Sequence, residues 1–346
     1  AVLIVIGTIL LLLPISTNEK GINPIQAIFT STSAVCVTGL IVYDTGTHFT
    51  MFGQFIILFL IQIGGLGIMT VSSAFAILLG QKLTLKSENL IQNMVGESTK
   101  IDMISLIRNI VLVTFFFELI GAALLYLTFY SQPYSMGRAI YHAVFHAISA
   151  FCNAGFSLYA DSFVTYRANF NINFVITSLI ILGGIGFPVL VDIRKSFKFR
   201  FRWSRFSLHT KIVLTATIFL IILGMAAFFI SEYNNEMQGM SFKERMFASY
   251  FQSVTTRTAG FNTIDNSNLS KASVFISTIL MFIGASPGST GGGIKTTAFI
   301  IIIISVLSLF RGHADVNIFK RKVSINVINR VMALIALSIA LLSFFI

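Results

Sequence analysis

Charged residues are scarce in this sequence. Asp, Glu, Lys and Arg together make up 11% of the 346 residues, whereas a soluble globular domain contains about 25%. This scarcity excludes an ordinary water-soluble enzyme. In place of charge the chain carries 35 Phe and a hydrophobic fraction of 55%, with a mean hydropathy of +0.86, and these values indicate an integral membrane protein.

Acidic residues are fewer than basic ones, giving a formal net charge of +11. Such a charge points to nucleic acid only when the basic residues share one surface of a folded soluble domain. Here fifteen of the 24 Lys and Arg residues lie between apolar runs, in the segments 80–102, 193–211 and 311–330. The positive-inside rule places these three basic segments in the cytoplasm. The intervening segments 16–50, 131–170 and 231–271 are predicted to face outward.

Several runs with little or no charge are long enough, or nearly so, to cross a membrane, which takes about 20 apolar residues. They are 1–18, 52–79, 109–131, 170–191, 212–230, 272–294 with 296–310, and 331–346. Residues 1–15 lack the basic region and cleavage pattern of a signal peptide and are predicted to belong to a spanning helix. Because Ala1 and Ile346 each lie inside an apolar run, we expect the chain to be part of a longer protein.

The three outward-facing segments align on one glycine, which is Gly39, Gly155 or Gly260. Similar triplets stand ten to twelve residues earlier: Ala27-Ile28-Phe29, Ala143-Val144-Phe145 and Ala248-Ser249-Tyr250. An acid follows five or six residues later, as Asp44, Asp161 and Asp265. The next helix of the first two units carries Gly64-Gly65-Leu66-Gly67 and Gly183-Gly184-Ile185-Gly186. Three copies with matched flanks indicate an internal repeat.

Each repeat is predicted to contain a helix, a short re-entrant helix, a turn at the glycine and a second helix. The short helix from Pro24 to Val35 has 12 residues and, at about 18 Å, crosses only part of the bilayer. Its C-terminus directs a partial negative charge at the membrane centre and attracts a cation. Carbonyls of the following strand replace the cation's water shell, and glycine allows the backbone angles that this needs. The predicted selectivity filter consists of Val37, Thr38, Gly39 and Leu40, of Asn153, Ala154, Gly155 and Phe156, and of Thr258, Ala259, Gly260 and Phe261.

Three residues before the glycine stand Cys36, Cys152 and Arg257. The two cysteines are predicted to be small packing residues rather than a disulfide. Arg257 is a charge at membrane depth, and the sequence leaves two roles open: pinning a pore loop through backbone carbonyls, or tuning ion occupancy. Glu118 raises the same question, and we predict that it forms an interhelical ion pair or hydrogen bond.

The third repeat contains ten consecutive small or Pro residues between two apolar helices. They are Gly284, Ala285, Ser286, Pro287, Gly288, Ser289, Thr290, Gly291, Gly292 and Gly293. Gly and Pro break a helix, so we predict a loop inside the membrane, lining a cavity or buried by protein. A phosphate-binding loop is excluded because Ile294 separates the last Gly from Lys295. The segment is predicted to obstruct the pore below the filter, with Lys295 repelling a cation until the loop moves; tight helix packing is the alternative.

With these motifs the chain resembles the membrane subunits of the Ktr/Trk/HKT potassium transporter superfamily, most closely the KtrB type. The filter motifs that carry the resemblance are residues 38–40, 146–151, 153–157 and 257–262, and residues 285–295 resemble the intramembrane gating loop of that superfamily. The resemblance covers nearly the whole chain. It implies an all-α polytopic membrane protein in which helix–pore-loop–helix units surround a central, potassium-channel-like ion pore, with a broken helix in the third repeat.

The resemblance also implies a division into four units. The first repeat covers 1–79, the second 80–192 with a basic cytoplasmic loop, the third 193–310 with the gating loop, and 311–346 begins a fourth. A homodimer in the bacterial cytoplasmic membrane is expected, with one pore per subunit. A cytosolic ring of KtrA-like regulatory subunits would bind nucleotide and control the gate, so no cofactor is expected in this chain.

Potassium is the ion that the resemblance implies, because Ser in the first filter segment goes with sodium within the superfamily and this chain has Gly39. Coupling to Na⁺ or to protons is left open. The basic segments 193–211 and 311–330 are predicted to contact the regulatory ring, although acidic lipid headgroups attract the same charges.

A secondary transporter with Gly-broken helices around a midplane site, for another cation or a small solute, is the competing hypothesis. A membrane enzyme is disfavoured because the five His residues are scattered. His142 and His146 stand one helical turn apart, but no third ligand accompanies them as a metal site requires. No catalytic residue is predicted, and no metal beyond the transported potassium.

Overall fold

The computed structural model describes residues 1–18, 21–82, 103–197, 203–312, 315–319 and 321–345. The described part is almost entirely helical. Its α-helices are α1 (Val2–Leu11), α2 (Pro24–Val35), α3 (Thr45–His48), α4 (Met51–Lys82), α5 (Met103–Phe129), α6 (Met136–Phe151), α7 (Phe170–Ile185), α8 (Phe187–Phe197), α9 (Leu208–Ser231), α10 (Phe242–Thr258), α11 (Lys271–Ile283), α12 (Thr296–Phe310) and α13 (Ile325–Phe345). Single 3₁₀ turns lie at Pro14–Ser16, Val164–Tyr166, Trp203–Arg205 and Asn266–Asn268, and Asn317–Ile318 pairs with Arg321–Lys322 in a small antiparallel hairpin.

Four helices of the described residues are long and apolar enough to cross a membrane. These spans are Met51–Thr70, Ile107–Phe129, Leu208–Ser231 and Ile325–Phe344. The shorter apolar helices α1, α11 and α12 fall below that length. The segment between α11 and α12 is not helical, as its Gly and Pro content predicts.

The apolar run 170–191 is not one straight helix, contrary to the prediction of a single spanning segment. Helices α7 and α8 meet at an angle of 99°. Gly186 between them has φ 90°, a left-handed angle that costs a glycine little. Pro188 lies in the first turn of α8, where its missing N–H leaves no helix hydrogen bond unmade.

Three short helices precede the three aligned glycines, and each begins at a capping side chain. Asn23 caps α2, Ser135 caps α6 and Ser241 caps α10. In α2 and α10 the third helical residue returns a hydrogen bond to the cap, completing a capping box. These caps satisfy N–H groups that the first turn of a helix leaves free, and so fix where each helix starts.

The core lies around α6, which packs between α5 and α7. Its buried face presents Ala139, Ala143, Ala147 and Ala150, spaced three or four residues apart. Small side chains at this spacing allow neighbouring helices to approach closely inside a membrane. On the outside, large apolar residues such as Leu119 (72% exposed) and Leu127 (66% exposed) suit a surface covered by lipid.

The three basic segments are only partly described. Lys86, Lys100, Lys198, Arg200, Arg202 and Lys320 lie outside the described residues. Within the hairpin region Lys322 Nζ lies 2.6 Å from Asp315 Oδ1. The predicted cytoplasmic location of these segments stays a prediction.

Candidate ion-conducting site

The three aligned glycines come together in space. Gly39, Gly155 and Gly260 have φ of 80°, 73° and 90°. A Cβ atom added to Gly39 would lie 2.6 Å from Ala154 O and 3.4 Å from Ala259 O, and one added to Gly155 would lie 2.1 Å from Ala259 O. Backbone carbonyls of the second and third segments therefore point at the neighbouring glycines, where only the absence of side chains leaves room.

The first two segments leave their helices in the same way. Val37 and Asn153, each two residues before the glycine, have φ of 56° and 60°. Thr38 N then donates to Ser33 O at 2.9 Å, and Ala154 N donates to Ser149 O at 2.8 Å. Each pair closes the end of the re-entrant helix and turns the chain into the strand.

The third segment departs from this pattern. Helix α10 continues to Thr258, two residues before Gly260, whereas α2 and α6 end four residues before theirs. Gly260 N donates to Thr255 O at 3.3 Å, and Thr255 Oγ1 donates to Phe261 O at 2.7 Å. The third strand is thus fixed by a hydroxyl of its own helix.

The second segment is held by the side chains of His146 and Ser149, for which the sequence analysis predicted no individual role. His146 is fully buried. Leu158 N donates to His146 Nε2 at 3.2 Å, and His146 Nδ1 lies 2.8 Å from His142 O. Nε2 is therefore an acceptor and Nδ1 carries the hydrogen, so this histidine is neutral. Ser149 Oγ donates to Phe156 O at 2.8 Å.

The three acids that follow the glycines shape the turns beyond the strands. Asp44 accepts from Gly46 N at 2.7 Å and Thr47 N at 2.9 Å. Asp161 accepts from Thr165 N at 3.1 Å, and Asp265 accepts from Ser267 N at 2.9 Å. These carboxylates cap local turns, as Asp does wherever short loops expose N–H groups.

In each of the first two repeats, a glycine of the later helix (α4 or α7) lies against the C-terminal end of the short helix (α2 or α6). A Cβ at Gly64 would lie 2.1 Å from Val35 O, and one at Gly183 would lie 1.9 Å from Phe151 O. Val35 and Phe151 are the last residues of α2 and α6. The repeated glycine motif therefore brings each second helix against the C-terminal carbonyl of its own re-entrant helix.

The segment from Gly284 to Lys295 is an ordered loop held by its own hydrogen bonds. Ala285 N donates to Gly292 O at 3.0 Å and Ile294 N donates to Phe282 O at 2.9 Å. Ser286 Oγ and Thr296 Oγ1 are 2.8 Å apart, and Lys295 Nζ donates to Gly291 O at 2.7 Å. The charge of Lys295 therefore contacts a carbonyl of the loop itself.

This loop docks on the break between α7 and α8. Ser286 N donates to Gly184 O at 3.0 Å, Thr290 N donates to Gly183 O at 3.3 Å, and Phe187 N donates to Gly288 O at 2.8 Å. The bend at Gly186 exposes the backbone groups that a continuous helix would have paired. The second repeat thus supplies the surface that receives the loop of the third.

Asn153 and Arg257 connect the loop to the segments that contain Gly155 and Gly260. Asn153 Nδ2 donates to Thr290 Oγ1 at 2.7 Å, and Asn153 Oδ1 accepts from Thr258 Oγ1 at 2.8 Å. Arg257 Nη2 donates to Gly284 O at 3.2 Å. Of the two roles predicted for Arg257, the geometry favours carbonyl binding, but the carbonyl belongs to the intramembrane loop.

Comparison with known proteins identifies the family of this arrangement. A family model described as TrkH, cation transport protein, matches residues 1–346. The chain belongs to the TrkH family of cation transport proteins. The resemblance found in the sequence is thereby confirmed.

Relatives of the TrkH family match most of the chain. It is 44% identical over 332 residues to the Ktr system potassium uptake protein B of Bacillus subtilis (strain 168), covering 95% of this chain and 73% of that protein. It is 36% identical to the Ktr system potassium uptake protein B of Vibrio alginolyticus, over 97% and 74% respectively. The potassium/sodium uptake protein NtpJ of Enterococcus hirae is 35% identical, over 98% and 75%. These relatives are described as uptake proteins, not as enzymes.

The fold agrees with a solved member of the TrkH family. The crystal structure of the potassium transporter TrkH from Vibrio parahaemolyticus matches with a TM-score of 0.76 and 20% identity, covering 97% of this chain and 66% of that chain. The predicted all-α polytopic fold is therefore confirmed. The chain is a multi-pass protein of the bacterial cell membrane.

Two further predictions concern residues near the three aligned glycines. Cys36 and Cys152 are both free thiols, so no disulfide joins them; Cys152 is buried, as predicted for a packing residue, whereas Cys36 is exposed. Glu118 lies on α5 and accepts a hydrogen bond from Gln62 Nε2 at 3.2 Å, so its interhelical hydrogen bond is confirmed. Among the described residues no group of three or more His, Cys, Asp or Glu could hold a metal ion.

Proposed function

We propose that this chain forms the ion-conducting part of a potassium uptake protein. One observation carries the proposal: Gly39, Gly155 and Gly260 meet at one point, with the carbonyls of Ala154 and Ala259 beside the neighbouring glycines. Carbonyl oxygens held in this way replace the hydration shell of a desolvated cation. The names of the TrkH-family relatives support potassium as that ion.

The filter comprises residues 37–40, 153–156 and 258–261. The positive φ of each glycine supports this assignment, because a side chain there would be strained and would meet a neighbouring carbonyl at two of the three positions. The C-termini of α2, α6 and α10 add partial negative charge near the same point. Gly39 favours potassium over sodium, although one relative carries both ions in its name.

Residues 284–295 form the gate. These residues are not helical, and they form backbone hydrogen bonds with Gly183, Gly184 and Phe187 of the second repeat. Non-helical backbone at membrane depth lines a pathway or is buried by protein. Opening requires those hydrogen bonds to break, together with the Asn153 and Arg257 contacts.

The assembly that we propose is a homodimer with one pore per subunit, controlled by a cytosolic ring of nucleotide-binding subunits of the KtrA type. The name "Ktr system" of the relatives implies several components and supports such partners. Basic residues at the end of α8, Arg194 and Lys195, lie where the ring or acidic lipid headgroups would contact the chain. Coupling to Na⁺ stays open within this proposal.

The test is rubidium uptake into proteoliposomes containing the purified protein and its regulatory partner, with potassium and sodium as competitors. We expect potassium to compete and sodium to compete poorly, and we expect deletion of 286–292 to raise the flux. A folded deletion variant that conducts no faster would remove the gate assignment. Saturable, coupled uptake of another solute with no rubidium flux would establish the secondary-transporter alternative.

A further inference from the structure

Glu118 is a buried carboxyl group that belongs to neither the proposed filter nor the proposed gate. It lies in the spanning helix Ile107–Phe129 and is 4% exposed. The ion pairs found in the described residues are Arg167–Glu244 and Lys322–Asp315, so no cationic side chain balances it. An isolated carboxylate in such an environment is costly, and the group relieves the cost by binding a proton or a cation.

The hydrogen-bond partners of Glu118 are too few for a stable carboxylate. Gln62 Nε2 donates to one oxygen at 3.2 Å, and the Cys152 thiol approaches the other at the long distance of 3.9 Å. The other atom of the same amide, Gln62 Oε1, is buried and lacks any partner. A carboxylate offers this amide oxygen no donor, whereas a carboxylic acid offers its O–H.

Glu232 shows what an ionised buried glutamate looks like in the same chain. Its side chain is also fully buried, but it accepts from Asn235 Nδ2 at 2.7 Å, Ser270 N at 2.9 Å and Glu236 N at 3.3 Å. Burial by itself raises the pKa of Glu232, and hydrogen bonds from Ser273, Asn235 and Ser270 more than offset it, so the pKa lies below its ordinary value. Glu118 has no comparable set of donors.

The position of Glu118 adds a second reason for neutrality. Cys152 is the C-cap of α6, and the C-terminus of a helix carries partial negative charge that disfavours a neighbouring carboxylate. The groups that contact Glu118 are the uncharged Gln62 amide of α4 and the Cys152 thiol of α6.

We propose that Glu118 is a proton-binding site behind the second filter segment, neutral in the conformation described here, and that loss of its proton strengthens cation binding at that segment. The second half of this proposal rests on the proposed function. On release the proton passes to water and the carboxylate keeps the electron pair. The new negative charge then lies beside Cys152, which directly precedes the filter residue Asn153, and attracts a cation in the pore.

Infrared difference spectroscopy of the purified protein tests the proton without any measurement of transport. The C=O stretch of a protonated carboxyl, shifted in D₂O, should be present in the wild type and absent in Glu118→Gln. It should remain in Glu232→Gln, the matched buried control. Gln62→Leu keeps Glu118 but removes its N–H donor, so the same band should move rather than vanish, which keeps the test decisive if Glu118→Gln does not fold.

A band unchanged in Glu118→Gln would overturn the proposal. Loss of the wild-type band when NaCl replaces choline chloride would also overturn it, because Na⁺ rather than a proton would then occupy the site.

The pH dependence of rubidium uptake tests the link to conduction. In the wild type the half-saturating rubidium concentration should fall ~3- to 10-fold as Glu118 ionises, since a unit charge acts over roughly 10 Å in a medium of intermediate dielectric. In Glu118→Gln it should stay at the wild-type low-pH value. A pH response retained in that variant would overturn the link, and absence of rubidium flux in every protein would contradict the proposed function while the infrared result still decides the proton site.

Discussion

The first and second filter segments share a backbone conformation but not a setting. Val37 and Asn153 both adopt left-handed angles, with φ of 56° and 60°. In the second segment Asn153 forms side-chain hydrogen bonds with Thr290 and Thr258, whereas the matched Val37 has no polar side-chain atom. The matched serines also differ: Ser149 Oγ donates to Phe156 O, while Ser33 Oγ has no partner.

This difference indicates that the repeated sequence determines the backbone conformation of the turn, whereas tertiary contacts determine how stable that conformation is. The second segment contacts both other segments and, through Asn153, the loop. A left-handed angle suits Asn far better than the β-branched Val. We therefore expect perturbations of the second segment to cost more than matched perturbations elsewhere.

The largest effect is expected from alanine at the filter glycines. A Cβ at Gly155 meets Ala259 O at 2.1 Å, one at Gly39 meets Ala154 O at 2.6 Å, and one at Gly260 meets nothing nearer than 3.9 Å. Gly155→Ala should reduce rubidium uptake at least about tenfold, since overpacking costs on the order of 1–3 kcal/mol. Gly39→Ala should be intermediate and Gly260→Ala mildest. Equal effects at all three positions would contradict the ranking.

Gly183 and Gly184 are adjacent in α7, and we expect alanine to have opposite effects on stability at the two positions. A Cβ at Gly183 would lie 1.9 Å from Phe151 O, and one at Gly184 would meet nothing within 4 Å. Gly183→Ala should lower the unfolding free energy by about 1–3 kcal/mol through overpacking. Gly184→Ala should leave it unchanged or raise it by about 0.5–1 kcal/mol, the usual gain of Ala over Gly in a helix. Thermal unfolding in detergent measures both, and similar midpoints would count against the close packing.

A histidine and a threonine occupy the position nine residues before the glycine. His146→Leu leaves Leu158 N without its acceptor and should cost about 1–3 kcal/mol of stability. Thr30 Oγ1 is buried and has no partner, so Thr30→Val should be nearly neutral. Denaturant unfolding of the two variants compares the segments directly. A neutral His146→Leu would show that the strand does not depend on this bond.

The link from the second segment to the loop is measured by a double-mutant cycle. Asn153→Val gives the second segment the residue of the first, and Thr290→Val removes the other end of the 2.7 Å bond. We expect a coupling energy of about 0.5–3 kcal/mol in unfolding free energy, with rubidium flux raised in both single variants. Strictly additive effects would mean that the two residues act independently.

The smallest effect is expected at the matched serines. Ser149→Ala should cost about 1 kcal/mol, the net value of an ordinary hydrogen bond. Ser33→Ala should cost close to nothing, because its hydroxyl has no partner. Thermal shifts of the two variants suffice for this comparison, and a larger loss at Ser33 would reverse it.

Much of this site can be predicted from the sequence because it depends on local chemistry. The glycines at 39, 155 and 260 predict an unusual backbone angle without knowledge of any contact to another residue. The run from Gly284 to Gly293 breaks a helix because of its composition alone. The capping residues Asn23 and Ser241 act within one turn. The aligned glycines are also repeated in the chain, and this repetition made them detectable.

Other features depend on partners far away in sequence. The 99° bend at Gly186 lies in a uniformly apolar run. Because glycine is common in membrane helices, its presence there does not predict a bend. Only the loop that the bend receives explains it, through Phe187 N and Gly288 O. The side-chain roles of His146 and Asn153 likewise require contacts that spacing alone does not reveal, although His146 and Ser149 stand at fixed distances before Gly155.

The central claim is that carbonyls of the three glycine segments bind the transported cation. Anomalous diffraction from crystals of the protein grown with rubidium in place of potassium tests it most directly. The account predicts a rubidium peak at the convergence of Gly39, Gly155 and Gly260, in contact with the carbonyls of Ala154 and Ala259. A well-ordered structure with no peak there, or with rubidium bound only elsewhere, would contradict it.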